Sequence, residues 1–467
     1  MHKYTVILFM LMGLLGGCSR PSPNTQLTAA NPPLTNPDPT GTAAIMATPT
    51  VHLPLTSTPI PTSTPPTPTL TPTPFYSGEL SPACGQTLPI LPTNTSPEVT
   101  TLSPNNEVLA VLQEMMPAAA VPAWHQILNH PQTVGLAAYR VGDEDNGVFL
   151  NADSQVPLAS VVKLINLVAY VEATAAGQVD PASTVEVAAL DAYYLPNYDV
   201  GGHSRSLGDL EGKGHIIADP PRIYLEDVAY MMMRHSSNAA ADYLHLLLGQ
   251  AVMEETAVSL NLASQTAPCT WVGQFMAMAN HTSAAANDRA AIEGYLADPG
   301  SYGRTASLLT DAYISDPAFR EAERNWHSAT RRPSVATQRT FSHNLNAHGT
   351  PREYAALMAR LSQNGLSNAD SSFLARKYLE WPMIFPDNQE QFSNLGYKNG
   401  LLPGILTTIY YAYPKGETTP IVVALFFHDL PNRTYQQWRH TLPHDELARW
   451  LLYDPQAIPT LRTTFAR

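Results

Sequence analysis

Positive charge is scarce in this chain: 26 Lys and Arg stand against 39 Asp and Glu in 467 residues, a formal net charge of −13. With no basic patch to neutralise phosphates, nucleic acid is excluded as a partner. Long apolar runs are missing too. The run near the start, Val6 to Leu15, is too short to span a bilayer as a permanent helix. Nor does the chain carry the histidine patterns of metal enzymes, His-x-His-x-Asp or His-Glu-x-x-His. His440 and His444 are four apart, but Pro443 lies between them and no third ligand accompanies them, so zinc is not expected. Cysteine occurs only at positions 18, 84 and 269.

Proline, by contrast, is plentiful, with 42 residues, while charged residues make up only 14%. That combination points to a low-complexity segment joined to a conventional globular part. Residues 18–103 are rich in Pro and Thr, most clearly in "TSTPIPTSTPPTPTLTPTP". Such a stretch buries too little apolar surface to offset its ordering entropy, and its prolines stiffen it toward extended conformations. It reads as a disordered linker, with 77–103 the ambiguous part. Residues 1–17 combine Lys3, the short apolar core and Leu15-Gly16-Gly17 before Cys18. This resembles a bacterial lipoprotein signal, which implies lipidation of Cys18 and a location outside the cytoplasmic membrane. An ordinary secretory signal is the alternative, and either implies export. In an oxidising compartment a Cys84–Cys269 disulfide is permitted, but spatial distance cannot be read from sequence, so the pairing stays open.

Globular patterning begins near Glu107 and defines a domain over 104–467. Helices are predicted over Glu107–Met115, Pro122–Leu128, Leu225–Met233 and Ala239–Leu248. Strands are predicted at Val134–Tyr139 and Gly147–Leu150, forming a hairpin, and at Leu395–Tyr397, Ile405–Tyr413 and Ile421–Phe427. Thr350-Pro351 opens an amphipathic helix with Tyr354, Leu357, Met358 and Leu361 on one face. A last helix is expected over Tyr435–Leu452. Residues 270–345, with helical pieces at Asp288–Leu296 and Asp316–Trp326, read as a helical insertion near a cleft mouth. Strands from both ends of the chain around a helical middle suggest an α+β architecture with one antiparallel sheet.

Chemistry enters at Ser160-Val161-Val162-Lys163, where apolar residues follow at helical spacing. One helical turn brings the amine to the face of the hydroxyl, and a semi-buried lysine can lose its charge and take the serine proton. Alone, the pair is a common one and reads first as a helix cap followed by a solvated lysine. Two later stretches change this: Ser236-Ser237-Asn238 at a helix junction and Lys398-Asn399-Gly400 on a strand. Ser236 and Asn238 could cap the following helix, and Lys398 could be an edge-strand charge, yet neither explains the ordered trio.

In that order, Ser-x-x-Lys, Ser-x-Asn and Lys-x-Gly resemble the motifs of the penicillin-recognising serine enzymes, with class A β-lactamases the nearest likeness, over about 119–452. The resemblance implies a β-lactamase/transpeptidase-like fold and acyl transfer without a cofactor. It implies a small β-lactam or cell-wall peptide as substrate and a monomeric protein. It assigns Ser160 as nucleophile, Lys163 as its proton partner and Ser236 as the relay to the leaving nitrogen. Asn238, Lys398, Asn399, Gly400 and Leu401 would bind substrate, Lys398 through a carboxylate. The oxyanion would lie between the backbone N–H groups of Ser160 and Leu401. A D,D-peptidase or esterase, or a non-catalytic cell-wall ligand binder, are the alternatives.

Departures from the pattern bear on turnover. Asn399 replaces the usual hydroxyl residue, and Ser237 the usual Asp. No Glu-x-x-x-Asn precedes Thr350-Pro351, where "QRTFSHNLNAHG" holds no carboxylate. Glu321 with Asn325 has the right spacing farther upstream, and Glu390 with Asn394 shows how common that spacing is. His235, beside Ser236, is expected to make a local polar contact. Without a general base for water, the acyl-enzyme is expected to be long-lived.

Overall fold

Alternation in three C-terminal segments sets up the sheet. Along Ile421–Phe427 every residue is buried, with Val422, Ala424 and Phe426 in one hydrophobic cluster and Ile421, Val423, Leu425 and Phe427 in another. A strand with two apolar faces must lie between two layers. The computed structural model, which describes residues 75–76, 84–91, 101–102, 106–283, 288–329 and 333–466, places it so. The strands are β1 (Val134–Arg140), β2 (Val148–Leu150), β3 (Phe392–Leu402), β4 (Ile405–Pro414) and β5 (Ile421–Phe427). They form one antiparallel sheet in the order β3-β4-β5-β1-β2.

One face of this sheet carries Val121–Asn129 and the C-terminal helices, with Trp124, Trp438 and Trp450 buried between. The predicted helix over Tyr435–Leu452 is two helices, Asn432–Thr441 and Pro443–Tyr453. They break at Leu442, φ 50°, because a residue before proline is steered away from helical geometry and Pro443 supplies no N–H. The other face carries the helical layer. Its members are α1 (Lys163–Ala175), α2 (Leu225–Arg234), α3 (Asn238–Leu248), α4 (Trp271–Met278) and α5 (Pro351–Ser362). Helix α5 opens on a Thr350 hydroxyl that accepts from the Glu353 N–H, and Tyr354, Leu357, Met358 and Leu361 face the core as the pattern predicts. Between α4 and α5 the chain forms the helices Asp288–Ala297, Pro299–Ser315, Pro317–Ala329 and Val335–Leu345, so the described part of 270–345 is mostly helical.

The expected linker boundary at 103 requires correction. Cys84 is disulfide-bonded to Cys269, and Leu88 and Ile90 are buried in the helical-side core. Backbone bonds join Gly85 N–H to the Ala267 carbonyl and Leu88 N–H to that of Gln265. Residues 84–91 therefore belong to the folded unit, which sequence composition hid behind flanking Pro and Thr. Cys18 and the signal segment lie outside the described residues.

Candidate active site

The Ser160 motif sits where strand chemistry ends and helix begins. Ala159–Val162 forms a 3-10 turn, and α1 starts only at Lys163. In a 3-10 turn residues three apart are eclipsed, so the Lys163 side chain rises directly beside the Ser160 hydroxyl, with Nζ 3.2 Å from Oγ. Ala159 is held at φ 47°, a left-handed conformation that costs an L-residue energy and is kept only where its surroundings enforce it.

The second motif arrives at the α2–α3 junction. Here Ser237, not Ser236 or Asn238, caps α3: its Oγ accepts from the Ala240 N–H. That frees the two flanking side chains. Ser236, at φ 59°, turns its hydroxyl to within 3.3 Å of Lys163 Nζ and 3.0 Å of Lys398 Nζ. Its carbonyl accepts from Lys163 at 2.6 Å, and Asn238 Oδ1 accepts from the same amine at 2.7 Å. The Asn238 amide nitrogen donates to the Tyr198 carbonyl. His235 points away and meets Asp209 at 3.0 Å, a local polar contact as expected.

Strand β3 brings the third motif. Lys398 is 1% exposed, and besides Ser236 its amine donates to the Asn399 carbonyl. Strand alternation sets Tyr397, Asn399 and Leu401 opposite Lys398 and Gly400, and Tyr397 and Leu401 pack against the terminal-helix cluster. A Cβ on Gly400 would lie 2.7 Å from the Ser160 nitrogen and 2.8 Å from the Ala159 Cβ. Only glycine lets this strand approach Ser160 so closely.

Burial sets the charge state. Lys163 is fully buried, and desolvation pushes its amine down from 10.5 to about 7, opposed in part by Asp199 and Asp242. Lys398 is held well below the ordinary lysine range by burial, with the neighbouring Lys163 adding to it. Neither carboxylate that acts on Lys163 is idle. Asp199 accepts from the Gly201 and His203 N–H groups, and Asp242 from those of Trp271 and Val272. The remaining flank of Lys163 is covered by the Trp271 ring, 4.7 Å from Nζ.

Glu321 and Asn325 lie on the exposed side of Pro317–Ala329; the buried carboxylate of that helix is Glu323, paired with His281 and His327. Glu390 is exposed as well, and Asn394 donates to Glu380. Sequence reasoning missed Asp199, Asp242 and Trp271. Trp271 joins the site by contact and the two carboxylates by charge acting through space, and no local pattern marks any of them.

A profile of the "Beta-lactamase enzyme family" matches residues 123–437, more than half of the chain. The chain belongs to the β-lactamase enzyme family. Among solved structures it is similar to a β-lactamase from Sphaerobacter thermophilus DSM 20745, at 17% identity, TM-score 0.45, covering 74% of this chain and 98% of that one. It is also similar to a class A β-lactamase reconstructed as the last common ancestor of Gram-negative bacteria, at 15% identity, TM-score 0.42, covering 72% and 98%. A third similarity is to PBP-A, at 12% identity, TM-score 0.40, covering 75% and 98%. No match is found among curated proteins. The β-lactamase/transpeptidase-like α+β fold expected from the motifs thus holds for this chain.

Proposed function

We propose that this β-lactamase-family chain is an acyl-serine enzyme that opens a β-lactam or related amide on Ser160. The observation that carries the proposal is the hydrogen bonding of Lys163. A neutral amine has two N–H groups and one lone pair. Two acceptors, the Ser236 carbonyl and Asn238 Oδ1, use the N–H groups, which leaves the lone pair facing two hydroxyls, Ser160 at 3.2 Å and Ser236 at 3.3 Å: it can take a proton from the first and return it through the second.

Ser160 Oγ attacks the carbonyl carbon as its proton passes to Lys163 Nζ. The oxyanion is stabilised by the N–H groups of Ser160 and Leu401. The C–N bond then breaks, and Ser236 passes the proton to the leaving nitrogen. Lys398 binds the substrate carboxylate, whose arrival supplies the counter-charge its buried amine lacks. Asn238 and Gly400 line the binding side, while Asn399, on the opposite face of the strand, contributes its backbone rather than its side chain. No step calls for a cofactor.

Turnover is the slow half. Deacylation needs a base for water; no Glu-x-x-x-Asn precedes Thr350-Pro351, and Glu321 and Glu390, which have that spacing elsewhere, are exposed. This favours the peptidase- or esterase-like variant with a persistent acyl-enzyme over a fast β-lactamase. Intact mass after exposure to a penicillin tests both halves. The expected result is a ring-opened adduct on the wild type that outlasts many minutes and is absent from Ser160→Ala. Rapid nitrocefin turnover would reverse the slow-turnover part. A folded wild type that takes no adduct would leave the ligand-binding alternative. We further propose, from the leader and Cys18, a lipid-anchored protein outside the cytoplasmic membrane, and a substrate-selecting role for the helices of 270–345.

A further inference from the structure

The nucleophile is aimed by the peptide group in front of it, between Leu158 and Ala159. That group is held from both sides. Its carbonyl accepts from the Thr407 hydroxyl of β4 at 2.8 Å, and its N–H donates to Asn346 Oδ1 at 2.9 Å. The Leu158 N–H is tied in turn to the Ala347 carbonyl. Ala159 is fully buried and left-handed, so the clamp supplies the force that keeps an unfavourable φ immediately before Ser160.

Asn346 is not an isolated contact. Its amide nitrogen donates to Gln274 Oε1 at 3.1 Å, and Gln274 Nε2 donates to the Cys269 carbonyl at 3.1 Å. Both side chains are 3% exposed. The polarity of the chain is forced at each end. An N–H at Ala159 demands an oxygen from Asn346, and a carbonyl at Cys269 demands a nitrogen from Gln274, so each amide has one orientation. Cys269 is covalently bonded to Cys84, and the Asn346 carbonyl is engaged by the His348 ring. The far end of the relay is therefore fixed.

We propose that Asn346, backed by Gln274, is a positioning residue for acylation: it holds the Leu158–Ala159 peptide so that the Ser160 N–H faces the β3 strand and its hydroxyl faces Lys163. Neither residue touches Lys163, Ser236 or Lys398 through the bonds described, so the effect is transmitted through the backbone. The inference rests on the acyl-serine reading above.

The test is pre-steady-state labelling with a fluorescent penicillin, separating the dissociation constant of the initial complex from the acylation rate constant. Asn346→Leu removes the acceptor for Ala159. It is expected to lower the acylation rate on the order of a hundredfold, as small misplacements of reacting groups do. Initial binding should stay within about threefold. Asn346→Asp keeps an oxygen for the Ala159 N–H but sets its second oxygen against Gln274 Oε1, so its rate is expected to fall between those of Asn346→Leu and the wild type. Asn346→Leu acylating at the wild-type rate, or losing initial binding as much as rate, would overturn the positioning role. If Asn346→Leu does not fold, Gln274→Leu takes its place, with a loss of about tenfold expected and an unchanged rate counting against the relay. A wild type that takes no label removes the acyl-serine reading and the relay with it, an outcome distinct from a labelled wild type with indifferent variants.

Discussion

At the residue scale the site turns on one amine kept out of water. Among the described residues Lys163 has no ion-pair partner in contact, but carbonyl, amide and hydroxyl oxygens and the Trp271 ring, so burial dominates and brings it to about 7. The proposed acylation needs the neutral form. Its rate with a penicillin should therefore rise with pH through about 7 and level off above, and a stopped-flow pH profile checks this. Lys163→Arg, permanently charged, should abolish acylation at every pH. The sign for stability follows from the same shift. Because the unfolded lysine binds its proton more tightly than the folded one, the penalty is complete below about pH 7 and is relieved toward 10.5.

Elements position these residues through their ends. The α2–α3 junction delivers Ser236 and Asn238 to Lys163 because Ser237 alone does the capping, with His203 Nδ1 also within reach of the Ser237 hydroxyl at 3.3 Å. Ser237→Ala should cost about 1 kcal/mol of stability from the lost cap. It should also slow acylation, since the cap fixes the backbone between two site residues. Denaturant unfolding and the labelling rate together measure both effects. Strand β3 works at its middle instead, where Gly400 takes the space that a side chain would deny to Ser160.

For the molecule as a whole, the covalent link matters most. The Cys84–Cys269 bond closes a loop of 185 residues between the start of the folded unit and the turn leading to α4. Cys84→Ser should lower stability by about 2–5 kcal/mol, visible as an earlier thermal transition that reductant does not shift further. The wild type should move to the same transition when reduced. This bond also anchors the loop whose next residues, Trp271 and Gln274, reach Lys163 and Asn346.

Much was legible in the chain alone, and the reason is locality. Helix and strand periods depend on neighbours a few residues away, so the hairpin of β1 and β2, the three C-terminal strands and the Thr350-Pro351 helix stand in the pattern. The ordered motifs at 160, 236 and 398 were legible because their residue types are tied to one chemistry. What only tertiary structure decided depends on separations that local pattern does not encode. The depressed pKa of Lys163 is a consequence of burial, not of its neighbours in sequence. Ser236 and Ser237 are indistinguishable as letters until the start of α3 takes one as its cap. The amide that clamps Ala159 comes from 187 residues away, and an ordinary Asn in a polar stretch carries no mark of such a partner.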